Sequence, residues 1–175
     1  MRKYGYIVSF AILLVMQICI SNFFRLSQYV VLTILPVIIL LIPVRRGTIF
    51  ALVTAFLSGL AVDLLADGLL GLNILALVPV AFARRSIIRL AFGEEIFARN
   101  ENISVKRLGL WKISVAIFMA QALFLAIYVW ADSAGTQPVW FMLVRFGASL
   151  LSGYLLSLAV ASLLTEDDSR ESVRK

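Results

Sequence analysis

The chain contains no histidine, a single cysteine and few charged residues, 15% of 175. Without histidine, the commonest metal ligand and general base is missing, and one cysteine, Cys19, excludes an intramolecular disulfide. Zinc and redox chemistry are not expected, and neither is a cofactor. A long stretch of balanced polar and apolar sequence is missing as well. The longest polar region, 84–110, is too short to bury a core of its own and is interrupted by Ile87, Ile88, Leu90 and Phe92. That excludes a soluble domain carried on a single anchor.

What is present is apolar: 62% of residues, with a mean hydropathy of +0.99. A water-soluble fold of this length is about half apolar and about a quarter charged, so the surplus must face lipid. The expected fold class is all-α, a polytopic integral membrane protein forming one transmembrane domain over residues 1–175.

A helix needs roughly 20 apolar residues to cross the hydrocarbon layer. Six windows of about that length are nearly free of charge: 4–22, 26–44, 47–65, 68–83, 111–131 and 139–164. The third and fourth are short and joined by a few residues around Asp67, which predicts a tight hairpin; a count of five with one re-entrant segment is the alternative to six. Arg2, Lys3 and an apolar run precede Cys19, as in a lipoprotein signal. The residues just before it are Gln17 and Ile18 rather than small ones, so the first segment reads as a retained helix.

Lysine and arginine near helix ends stay on the cytoplasmic side. With both ends inside, every one of the 16 cations except Arg25 and Arg145 falls on an inside segment. The loop 84–110 becomes a basic cytoplasmic loop, with Arg84, Arg85 and Arg89 as a face for cytoplasmic partners or anionic headgroups. The net charge of +6 is thus spread over four helix-flanking clusters. No aromatic stacking platforms interleave with them, so nucleic acid is not an expected partner.

The most informative stretch runs from Gly59 to Ala76. It puts Asp63 near the outer end of one helix and then Gly68 and Gly71 at the turn into the next, where glycine permits sharp reversal and close backbone approach. Asp63 and Asp67 can also be read as a polar hairpin tip facing water. Two aspartates four residues apart begin a metal site of the phosphatidyltransferase kind, but the further aspartates, arginine and glycine of that signature are missing. A metal held by two carboxylates alone is under-coordinated, so neither a metal site nor enzymatic activity is expected.

Gly59-Leu60, Asp63-Leu64, Gly68, Leu70-Gly71 and Leu75-Ala76, with Gln17 and Pro36 upstream, resemble the rod shape-determining protein MreD family. The likeness in sequence covers roughly residues 13–83, and the length and hydropathy agree beyond it. Asp67 departs from the pattern, since many members carry a small or neutral residue there. The resemblance implies a non-enzymatic bacterial inner-membrane component of the elongation machinery, which supports peptidoglycan synthesis and cell shape. Its implied partners are MreC and, through it, the filament MreB, RodA and penicillin-binding protein 2.

A rival of another class is the substrate-binding membrane subunit of an energy-coupling-factor vitamin transporter, also a six-helix protein of this size. Such subunits cage a vitamin with their outer loops. The outer loops here, about 23–26, 65–68 and 132–138, are brief.

Several polar residues fall inside the spans. Gln17, Gln121, Ser58, Ser149 and Ser152 are expected to bond between helices. Arg145 lies about 9 Å into the last helix, and an arginine within a span is usually retained for a pairing or a function. Asp63, about 8 Å below the outer edge, matches its depth and is the preferred partner; Asp67 and Asp132 lie nearer the surface.

Overall fold

A computed structural model describes residues 2–23, 30–43, 46–67, 70–93, 110–133 and 137–173, with side chains placed over 10–23, 30–43, 46–66, 70–93, 111–133 and 137–161. The regular structure among the described residues is helical, with no strand. Helix α1 spans Arg2–Phe23, α2 Leu35–Leu40, α3 Thr48–Val62, α4 Leu72–Phe92, α5 Leu110–Ser133 and α6 Val139–Val173. A π-helical turn, Asp63–Asp67, extends α3.

Among the described residues, three helical stretches are long and apolar enough to cross a membrane: Thr48–Ala66, Trp111–Ser133 and Val139–Ala161. Their outward faces stay apolar. Ile49 is 79% exposed, Phe82 on α4 72% and Leu151 69%, and large side chains bared this way on each of the five longer helices face lipid rather than water. The chain is therefore a helical membrane protein.

Small residues set the closest packing. On α3 the buried face is Ala51, Ala55, Ser58, Gly59 and Val62, and α3 packs against α4, with Gly59 on the backbone of Asn73 and Ile74. Lipid is as apolar as leucine, so close backbone approach through small side chains is what holds such helices together.

The second segment departs from expectation. In place of a continuous helix over 26–44, the described part of that span, 30–43, holds one short helix, Leu35–Leu40, preceded by non-helical backbone at Val31–Ile34. Pro36 is the reason. Its ring would clash with the carbonyl of Leu32 in a continuous helix, and it offers no N–H to that carbonyl. The short helix is the core of the bundle, with Ile34 through Leu40 all buried and α1, α3, α4 and α5 around it.

Non-helical backbone inside an apolar bundle must find partners, and here neighbouring helices supply them. Gln17 of α1 accepts from Ile34 N at 2.7 Å and reaches Leu32 O at 3.5 Å; Gln121 of α5 donates to Thr33 O at 3.2 Å; Ser149 of α6 accepts from Val31 N at 2.8 Å. These three polar residues do bond across elements, as expected. Ser58 and Ser152 instead donate to their own helices, at Thr54 O (2.7 Å) and Ala148 O (2.8 Å), the usual resort of a helical serine.

The expected loop 84–110 is also corrected at its start. Helix α4 continues to Phe92 and stops where Gly93 takes φ +81°. The last helix outruns its expected end at 164 and reaches Val173.

Candidate functional site

The hairpin between α3 and α4 gathers the residues of the glycine and aspartate motif. At Gly71 the backbone takes φ +105°, a left-handed conformation that glycine adopts without strain. The chain then turns straight into α4, whose first N–H groups have no partners within the helix.

Asp63 supplies them. Its side chain is fully buried, and its two oxygens accept from Gly71 N (2.9 Å), Asn73 N (3.0 Å), Asn73 Nδ2 (2.9 Å) and Ile74 N (3.4 Å). A carboxylate at a helix N-terminus also meets the positive end of the helix dipole. The π-helical turn begins at Asp63 itself.

Gly59, one turn earlier, brings the two backbones together. A Cβ there would lie 3.0 Å from both Cα and N of Ile74. Gly59, Asp63, Gly71 and Asn73 thus form one clasp between antiparallel helices. Across it, Asn22 of α1 donates to Leu65 O at 3.2 Å, which ties the first helix to the same turn. Gly68 and the Asp67 side chain lie outside the described residues.

The expected pairing of Asp63 with Arg145 is not formed. Arg145 pairs with Asp132 at the end of α5, both side chains partly buried. Depth alone favoured Asp63, but the α4 N-terminus already engages that carboxylate. Asp132 closes one helix at the end where its antiparallel neighbour begins, which sets it level with the first turns of α6.

The basic face is corrected too. Arg84 is buried and donates to the carbonyls of Leu40 (Nε, 3.3 Å) and Ile42 (Nη2). The Leu40 oxygen ends the short helix α2, at the negative end of its dipole, and Ile42 lies two residues beyond. Arg85 and Arg89 are exposed as expected. Further round, Arg46 stacks over the Phe50 ring, 4.7 Å from its centroid, a cation–π contact.

Sequence reasoning missed Asn73 and passed over Asp132. The signal for Asn73 was its place two residues after Gly71, at the start of a helix whose N-cap glycine has no side chain to cap it. No group of three metal-ligating side chains occurs among the described residues. No protein-family model, curated protein or solved structure matches the chain.

Proposed function

We propose that this protein is a multi-pass component of the bacterial inner membrane, related to the MreD family, that acts without catalysis in the elongation machinery. It contributes to peptidoglycan synthesis and cell shape through an MreC-like membrane-anchored protein, and indirectly through an MreB-like filament, RodA and penicillin-binding protein 2. In this reading the chain crosses six times with both ends in the cytoplasm.

The observation that carries the reading is that three of the residues on which the resemblance rests act as a single structural unit. Gly59, Asp63 and Gly71 close one hairpin, and both oxygens of Asp63 are occupied by N–H donors of α4. A motif of that kind suits a scaffold whose surface is read by partners.

Length supports six crossings. Helix α4, 21 residues long, covers about 31 Å, a full hydrocarbon layer despite its arginines. The second crossing would include the non-helical backbone at Val31–Ile34, so a six-residue helix does not preclude it.

Depletion in a rod-shaped host tests the function: cells should widen or round up while vitamin uptake stays normal, and the protein should co-purify with an MreC-like partner. Normal width after complete depletion would overturn the reading. Loss of vitamin uptake at normal width would favour the transporter subunit instead. Topology is tested separately by reporters after Lys175 and near Glu101, both of which should report cytoplasm.

A further inference from the structure

We infer that the bundle contains a buried water site between Gln121 of α5 and Ser157 of α6. Both side chains are completely buried. The Gln121 amide nitrogen is used on Thr33 O, but its Oε1 has no hydrogen-bond partner among the described residues, and neither does the Ser157 hydroxyl. A buried polar atom left without a partner is costly, and two such atoms on facing helices call for a shared solution.

The geometry brings them to one place. The Gln121 amide lies directly against Gly153 of α6, where even a methyl group would collide with it. Ser157 stands one turn further along the same face, with about 5–6 Å between such positions. Helices α5 and α6 are antiparallel, as the Asp132–Arg145 pair at one end and the Ser114–Tyr154 hydrogen bond further along show. Since Cα–Cβ bonds lean toward a helix's own N-terminus, Gln121 and Ser157 lean toward each other. The Thr33 carbonyl, 3.7 Å from the position of a Gly153 Cβ, closes the third side.

The chemistry selects the ligand. Gln121 Oε1 and Thr33 O accept, and the Ser157 hydroxyl does either, so the guest must donate at least two hydrogen bonds. No acidic or basic side chain belongs to the set, and an ion there would lack a counter-charge. Ile117 and Phe124, both fully buried, restrict the size. Water meets all three conditions, with the two to four polar partners an internal water needs. The site is about 17 Å from either end of α5, far from the water on either side of the membrane. There it completes the polar lining that the break before α2 requires.

Water-edited solid-state NMR of the full chain in lipid bilayers tests the site. Polarisation from water should reach the Gln121 side-chain amide and the Ser157 Cβ several times faster than Ile117 and Phe124. Gln121→Met, which keeps the volume, should bring Ser157 down to the level of Ile117. Should that variant fail to fold, Ser157→Ala should slow transfer to the Gln121 amide. Transfer in the unaltered protein no faster than at Ile117 would overturn the inference, and so would undiminished transfer in the variant.

Discussion

Arg145 and Asp132 form an ion pair between the start of α6 and the end of α5, with only 15% and 22% of their side chains exposed. The rest of α6 is the least enclosed of the three long apolar stretches, so this pair fixes its register against α5 where apolar packing is thinnest. In a medium without a hydrophobic drive between helices, polar contacts of this kind decide which surfaces meet.

A double-mutant cycle should therefore couple Asp132 to Arg145 and not Asp63 to Arg145. Residues in direct contact typically couple by about 0.5–3 kcal/mol, read as unfolding in mixed micelles. The exchange Asp132→Arg with Arg145→Asp should recover part of the stability lost in each single variant. Equal coupling of Arg145 to Asp63 would contradict the observed pairing.

Asp63→Ala should be among the most damaging single changes. It strips the N-terminus of α4 of its acceptor inside the bundle, at about 2–4 kcal/mol from the lost cap and the stranded N–H groups. Asp63→Asn keeps one oxygen and should cost less. Thermal unfolding of the purified protein orders the three, and an Asp63→Ala protein as stable as the parent would remove the clasp from consideration.

Gly59→Val tests the close approach rather than the hydrogen bonds. Its side chain would meet the Ile74 backbone, which cannot swing aside as a side chain could, and overpacking of this kind costs about 1–3 kcal/mol. Disulfide trapping between cysteines placed on facing positions of α3 and α4 should slow as the helices separate. An unchanged trapping rate would show that the hairpin absorbs the extra volume.

Arg84 and Arg85 are adjacent in sequence and should behave oppositely. Arg84→Leu leaves the carbonyls of Leu40 and Ile42 without their guanidinium, at about 1–3 kcal/mol for each stranded group. Arg84→Lys should rescue only part, because an ammonium lacks the planar fork. Arg85→Gln should leave stability within about 0.5 kcal/mol, as surface changes usually do. Similar losses at both positions would mean that the cluster acts as one charged face.

By itself the sequence determined the solvent of this protein and most of its segmentation. An apolar fraction of 62% with so few charges leaves lipid as the only medium that can cover the outside, and that follows from composition whatever the packing. The ends of α1, α3 and α5 fall within a few residues of the charge-free windows, because the same scarcity of charge that marks a window permits its burial in hydrocarbon. The hairpin at Gly59, Asp63 and Gly71 was legible too, since left-handed turns and close approach both select glycine.

Tertiary structure decided the partners. Pro36 could have kinked a continuous helix or broken it. The break stands because Gln17, Gln121 and Ser149 arrive from three other helices to satisfy the exposed backbone. Asp63 and Arg145 have matching expected depths along their helices, yet depth carries no information about rotation around the bundle. Only the packing placed the α4 N-terminus over Asp63 and left Arg145 to Asp132, and only the packing turned Arg84 inward while Arg85 stayed out.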